Sequence, residues 1–158
     1  MFQPIYENRQ TKFCTLKMAK VVVDSDAIYA LYVPHDPLNI RATKTFQHLI
    51  SQGFELIYPT SVLFEIISLF QRVLPTPAVT AKIIEKIKND QLIIHTVDTD
   101  ILKEATALFS PEGSRKNTLI DCSVVVVAKK IKADAVFAYD SFYTKQGLKT
   151  AEDLIKNL

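Results

Sequence analysis

Short apolar runs alternate with longer amphipathic stretches along most of this chain. The short runs predict strands at 20–24, 55–58, 92–97 and 135–139. The longer stretches repeat their apolar residues every three or four positions, which predicts helices. These helices cover residues 26–33, 37–51, 59–74, 77–89, 99–109, 119–131 and a last segment from 151. Because strands and helices alternate, we predict an α/β fold of three layers, with a mostly parallel central sheet flanked by helices.

One segment, 119–131, carries conflicting signals. Its four consecutive valines favour a strand by intrinsic propensity. Its apolar residues also follow a helical stripe through Ile120, Val124 and Val127, and Thr118 can cap a helix at its start. The segment is longer than an ordinary strand, so we predict a helix.

The length of 158 residues suits one domain with a proper core. The regular pattern begins at Met18, so we divide the chain into an N-terminal extension of open role, 1–17, and a single domain, 18–158. No stretch approaches the roughly 20 apolar residues that cross a bilayer, and residues 1–17 lack the apolar run of a secretory signal. We therefore expect a cytoplasmic protein without membrane contact.

The cysteines and the net charge bear on three possible features: structural zinc, a disulfide and nucleic-acid binding. Cys14 and Cys122 lie far apart and form no CxxC motif, which argues against structural zinc, and a reducing cytosol disfavours a disulfide between them. The formal net charge is +2, too small to indicate nucleic-acid binding by itself. A basic surface would have to come from local clusters of lysine and arginine.

Four acidic residues stand out by position. Asp24 and Asp140 each close a predicted strand, whereas Glu65 and Asp121 interrupt apolar helical stretches. The carboxyl ends of parallel strands meet at one edge of a sheet, which is where open α/β folds bind ligands. Clustered carboxylates repel one another unless a cation lies among them, so the pattern favours a hard, oxygen-seeking metal ion such as Mg²⁺.

Each acid also has a simpler structural explanation. Asp24 suits a turn, and Glu65 could pair with Arg72 or a lysine. The sequence 118–121 resembles a capping box in which Asp replaces Glu, and Asp26 and Asp140 could cap the helices that follow them. These explanations do not account for the presence of all four acids in one chain.

In order and spacing, these residues resemble the PIN domain, the fold of small metal-dependent ribonucleases that includes the toxins of VapBC toxin–antitoxin pairs. The resemblance covers roughly 20–148. It rests on four segments, 21–31 (VVVDSDAIYAL), 61–65 (SVLFE), 119–123 (LIDCS) and 137–148 (FAYDSFYTKQGL). Many members carry a further acid, Asn or His just after the last Asp, where this chain has Ser141 and Phe142.

The resemblance implies a catalytic, metal-binding set of four carboxylates, Asp24, Glu65, Asp121 and Asp140. They would hold one or two Mg²⁺ or Mn²⁺ ions, which activate water against an RNA phosphodiester and offset the charge that develops. Asp140 would bind the ion directly or through water. Behind the ligands, we expect Asp26 to orient a ligand or a water molecule. The hydroxyls of Ser25 and Ser123 could support the site in the same way, although ordinary structural hydrogen bonds suit both better.

RNA also needs cations near the acidic edge. Arg115 and Lys116 precede the helix that carries Asp121, and Lys145 follows Asp140, so we predict phosphate contacts at these three residues. Three further lysines, Lys129, Lys130 and Lys132, lie at the other end of that helix and suit its dipole. The resemblance further implies a homodimer and a small antitoxin partner.

Two other functions compete with this interpretation. Asp24 and Asp26 match the DxD motif of haloacid-dehalogenase-type phosphatases, but Glu65 and Asp121 would then have no role. Alternatively, the chain is a non-catalytic PIN-like module for RNA binding or protein interaction. The acids argue against that module, because a scaffold gains nothing from an unpaired acidic cluster.

Overall fold

The computed structural model describes residues 18–74 and 77–156. The predicted N-terminal extension, 1–17, lies outside the described residues. Within these ranges, no helix is both long and apolar enough to cross a membrane.

A four-stranded parallel sheet forms the centre of the fold. Its strands are β1 (Lys20–Val23), β2 (Glu55–Pro59), β3 (Ile93–His95) and β4 (Ala135–Phe137), in the order β3-β2-β1-β4. In the register, Val21 lies opposite Leu56 on one side and Ala135 on the other. The predicted parallel sheet is confirmed.

Eight helices connect and cover these strands in the described part of the chain. They are α1 (Ser25–Tyr32), α2 (Asn39–Ser51), α3 (Thr60–Val73), α4 (Ala78–Lys88), α5 (Thr99–Leu108), α6 (Leu119–Lys130), α7 (Phe142–Lys145) and α8 (Ala151–Lys156). Helix α2 begins later than the predicted Pro37. The Asp36 carboxylate accepts the backbone N–H of Leu38 at 2.8 Å, so residues 36–39 form a turn before the helix starts.

The core explains the three layers. Val21, Val22 and Val23 are all at most 1% exposed, although successive side chains of a strand point to opposite faces. Helices must therefore cover both faces of the sheet, as parallel sheets require. The predicted α/β class is confirmed.

The four consecutive valines lie in helix α6, as the helical stripe predicted. All residues from Cys122 to Ala128 are buried, and the helix packs against α3, α5, β1 and β2. A helix that is apolar on all sides is one that lies inside a protein. The valines are therefore helical because tertiary burial outweighs their strand propensity, and the free Cys122 thiol is one of these buried groups.

The order of the strands determines where a ligand can bind. From β1 the chain proceeds to β2 and β3 on one side, and then returns to place β4 on the other side of β1. This reversal creates a switch point between the carboxyl ends of β1 and β4, the usual location of ligand sites in open α/β sheets. Asp24 follows β1 directly, and its N–H donates to the Phe137 carbonyl of β4 at 3.0 Å.

Candidate active site

Asp24 lies deepest in the acidic group at the switch point. It is 2% exposed, and its Oδ1 atom has no hydrogen-bond partner. Burial raises the pKa of this carboxyl well above its usual range, and the negative charges of Asp26 and Asp121 raise it further. A buried carboxylate that lacks a compensating partner is costly, so this position requires an explanation beyond the turn considered above.

Asp26, in the first turn of α1, joins β1 to β4. Its Oδ2 atom accepts the backbone N–H groups of Tyr139 at 2.8 Å and Asp140 at 3.2 Å. The predicted strand to residue 139 therefore ends at Phe137, because the next backbone donors turn towards this carboxylate. Burial raises the pKa of Asp26 to about 6, although these two hydrogen bonds oppose the shift. Asp26 thus fixes the loop that carries Asp140 and does not cap its own helix.

Glu65 projects from the second turn of α3. Partial burial raises the pKa of its carboxyl, a hydrogen bond from the Ser25 side chain lowers it, and the charge of Asp121 raises it. The alternative partner, Arg72, instead donates from Nε to the Ser68 carbonyl at 3.2 Å. Glu65 therefore faces another carboxylate and not a cation.

Asp121 lies at the start of α6, where the predicted capping box forms. The Thr118 hydroxyl accepts the N–H of Asp121 at 3.3 Å, and Asp121 Oδ2 accepts the N–H of Thr118 in return. The other carboxylate oxygen, Oδ1, accepts the hydroxyl proton of Tyr143 at 3.3 Å. Capping and membership of the acidic group are thus compatible, since the two oxygens of Asp121 have different partners.

Asp140 joins the group through Asp26. Its Oδ1 atom accepts the N–H of Phe142 at 2.7 Å, which closes the turn before α7. Its negative charge adds to the causes that raise the pKa of Asp26. Repulsion between neighbouring negative charges therefore connects all five acids. It acts between Asp24 and both Asp26 and Asp121, between Glu65 and Asp121, and between Asp26 and Asp140.

Within the described residues, no ion pair joins a positive side chain to these acids. Across residues 18–74 and 77–156, the ion pairs involve other acids: Glu152, Asp100, Glu104 and Asp153. Carboxylate oxygens are the ligands that Mg²⁺ and Mn²⁺ prefer, and the buried Asp24 Oδ1 has no hydrogen-bond partner that would compete with such an ion. The donor set fits a hard divalent cation. In this part of the chain, however, no three Asp, Glu, His or Cys side chains lie close enough together to hold one metal ion.

Comparison with known proteins agrees with this geometry. The family model of the PIN domain matches residues 21–145, which include every acid of the site. The chain belongs to the PIN domain family. The resemblance inferred from the sequence is confirmed, and the phosphatase interpretation of Asp24 and Asp26 gains no support.

A solved structure shares the fold at low sequence identity. Seventeen chains match, including VapC20 of Mycobacterium tuberculosis, described as a toxin that cleaves the sarcin–ricin loop. Its TM-score is 0.70 at 17% identity, over 81% of this chain and 95% of VapC20. Comparison with curated protein sequences finds no match. The structural likeness therefore concerns the fold.

The predicted RNA-contacting residues of this PIN domain are all exposed to solvent. Arg115 and Lys116 are exposed in the loop before α6, and Lys145 is exposed at the end of α7. Lys130, by contrast, pairs with Glu104 of α5 at 2.8 Å. Lys130 thus has a local partner at the far end of α6 from Asp121.

Sequence reasoning missed two hydroxyl groups of this PIN domain. Ser61 of α3 forms a hydrogen bond of 2.7 Å with Ser123 of α6, which also donates to the Ile120 carbonyl at 2.7 Å. This pair joins the two helices that carry Glu65 and Asp121. The second missed group is the Tyr143 hydroxyl. Its only sequence signal was a position three residues after Asp140.

Proposed function

We propose that this protein is a cytoplasmic, metal-dependent endoribonuclease that hydrolyses RNA phosphodiester bonds, and that it is the toxin of a toxin–antitoxin pair. One observation supports the proposal most strongly. Acids from four separate parts of the fold interact with one another at the switch point of the sheet. Within residues 18–74 and 77–156, no ion pair joins any of these acids to a lysine or an arginine. A purely structural role would not require this arrangement, because unpaired buried acids destabilise a fold.

The acids divide into ligands and supports in this proposal. Asp24, Glu65 and Asp121 hold Mg²⁺ or Mn²⁺, and Asp140 contributes directly or through a water molecule. When bound, one or two such ions would activate water for attack on the phosphodiester and offset the developing negative charge. Asp26 keeps the Asp140 loop against β1 through its two backbone hydrogen bonds. Ser25 orients Glu65, and Ser123 holds α6 against α3.

RNA as the substrate rests on kinship with the PIN domain and on VapC20, whose description names the sarcin–ricin loop as what it cleaves. The exposed Arg115, Lys116 and Lys145 would bind phosphates beside the acidic edge. By the same kinship, we propose a homodimer that is inhibited by a small antitoxin protein covering the acidic site. These partners follow from the family and not from a contact within the chain.

The decisive experiment is cleavage of a labelled, structured RNA by the purified protein with Mg²⁺, Mn²⁺ or EDTA. The Asp24→Asn/Asp121→Asn double variant should lose cleavage, because it removes two ligands without changing side-chain size. The matched control is Asp100→Asn/Glu112→Gln, which neutralises two exposed acids outside the site and should cleave normally.

The result also separates the two remaining functions. Metal-dependent cleavage that only the site variant loses would establish a carboxylate–metal ribonuclease. If the wild-type protein cuts none of several RNAs and binds no Mn²⁺ in calorimetry, the nuclease proposal fails. The non-catalytic PIN-like module would then explain the fold.

A further inference from the structure

Tyr143 places a phenol hydroxyl within the acidic group. The residue belongs to α7 and is 0% exposed, and its ring packs edge-on against Phe142 with 5.6 Å between ring centroids. A phenylalanine would fill the same apolar space around the ring. The hydroxyl is therefore the part of this side chain that the core packing does not explain.

The hydroxyl lies between two of the proposed ligands. It donates to Asp121 Oδ1 at 3.3 Å, and it also interacts with the Asp24 carboxyl by hydrogen bonding. A phenol has one proton to donate, so it serves one carboxylate at a time. It thereby brings Asp24 of β1 and Asp121 of α6 to a common point, although their charges repel.

The remaining oxygens of these carboxylates differ in their partners. Asp121 Oδ2 accepts the Thr118 N–H whichever carboxylate the Tyr143 proton serves, and Oδ1 accepts the Tyr143 hydroxyl in this structure. Asp24 Oδ1 is buried and has no partner at all. The unsatisfied acceptor thus lies beside a carboxylate whose orientation is already fixed.

We propose that Tyr143 is a positioning residue for the divalent cation. Its hydroxyl orients Asp121 towards Asp24 and leaves Asp24 Oδ1 available as a ligand. The inference rests on the proposed function, since it concerns the same metal ion. Hydrogen bonds from groups behind metal ligands commonly strengthen binding about 10–100-fold, which gives the expected size of the effect.

The test compares two tyrosine variants by calorimetry with Mn²⁺ alone. Tyr143→Phe removes the hydroxyl and keeps the ring, so we expect Mn²⁺ affinity to fall about 10–100-fold. Tyr58→Phe is the matched control. It removes the hydroxyl of a tyrosine that lines a separate apolar cavity of about 510 Å³, which none of the five acids lines. Its Mn²⁺ affinity should equal that of the wild-type protein.

A spectroscopic measurement covers the case in which Tyr143→Phe does not fold. Adding Mn²⁺ to the wild-type protein should shift the ultraviolet absorption of a buried tyrosine, and Tyr58→Phe should show the same shift. A wild-type protein that binds Mn²⁺ without this shift would overturn the positioning role.

The outcomes distinguish this inference from the proposed function. Equal Mn²⁺ affinity of folded Tyr143→Phe and wild-type protein overturns the inference and leaves the nuclease intact. A wild-type protein that binds no Mn²⁺ removes the metal site itself, and both proposals fall with it. Weaker binding by Tyr143→Phe, together with unchanged binding by Tyr58→Phe, supports the positioning role.

Discussion

At the scale of single residues, the acidic site stands out because its charges are not balanced within the described chain. Asp24 is buried beside Asp26 and Asp121, and burial and repulsion both raise the pKa of its carboxyl. Ordinary folding stability would favour an amide at this position, since an amide avoids the cost of a buried charge. Retaining the acid is understandable when the chain must bind a cation, which offsets the same repulsion.

Replacing Asp24 therefore should have opposite effects with and without metal. In EDTA at pH 7, Asp24→Asn should raise the melting temperature by several degrees, since about 1 kcal/mol shifts it by roughly 2–4 °C at this size. Saturating Mn²⁺ at 100 times its Kd should stabilise the wild-type protein by about 2.7 kcal/mol and leave the variant unchanged. Thermal unfolding under both conditions checks this. A variant that melts lower than the wild-type protein in EDTA would contradict it.

Asp26 predicts a pH dependence of the metal-free protein. Its pKa is about 6 in the folded state against 3.8 for an unperturbed Asp side chain, so the folded state holds the proton more tightly than the unfolded chain. The stabilisation by this group is complete below pH 3.8 and is lost as the pH rises through about 6. Asp26→Asn keeps an oxygen to accept the two backbone N–H groups but cannot titrate.

Urea unfolding in EDTA between pH 4 and 7 measures this difference. The free energy of unfolding of Asp26→Asn relative to the wild-type protein should increase as the pH rises from about 4 to about 6. Parallel pH profiles for the two proteins would show that Asp26 does not titrate in this range.

At the scale of the elements, periodicity and capping residues in the sequence were sufficient to predict where helices form. The helical stripe and Thr118 identified α6 correctly despite its four valines. The positions of Tyr143 and Ser61 were not predictable, because their hydroxyl groups acquire partners only when α7 and α3 meet α6. The end of β4 was misplaced for the same reason, since its last backbone donors bind Asp26 from another element.

The N-terminal cap of α6 contributes both to the stability of this helix and to the acidic site, because Asp121 belongs to both. Thr118→Ala removes the oxygen that accepts the N–H groups of Ile120 and Asp121. We expect a loss of about 1 kcal/mol in the free energy of unfolding, as for other N-caps. Thr118→Ser keeps the accepting oxygen and serves as the control in the same urea titration. Equal losses in the two variants would show that the methyl group, and not the cap, stabilises this end of α6.

At the scale of the whole molecule, the strand order explains why residues far apart in the chain form one site. Asp24 and Asp140 are separated by most of the sequence, yet β1 and β4 are neighbours with Val23 opposite Phe137. The alternation of strands and helices predicted a shared edge of the sheet. It could not determine which strands adjoin at the switch point, because that depends on where β4 inserts.

The net charge of the protein affects RNA binding, because RNA is a polyanion that must approach an acidic edge. The formal net charge is only +2, so phosphate binding depends on where the cations lie. We expect Arg115→Gln/Lys116→Gln/Lys145→Gln to weaken binding of a single-stranded RNA in EDTA. Each lost phosphate contact lowers the salt dependence, log K against log salt, by about 0.7, so three contacts lower the slope by about 2.

The matched control neutralises three exposed lysines of α4, Lys82→Gln/Lys86→Gln/Lys88→Gln. Both triple variants lower the net charge equally, from +2 to −1 (2 − 3 = −1). A general attraction between the protein and RNA would therefore decrease equally in the two. A decrease of the salt slope confined to the first variant would assign the phosphate contacts to the loop before α6 and the end of α7. If the α4 variant loses as much of the slope, RNA binds by overall charge, and these three residues do not form the predicted contact surface.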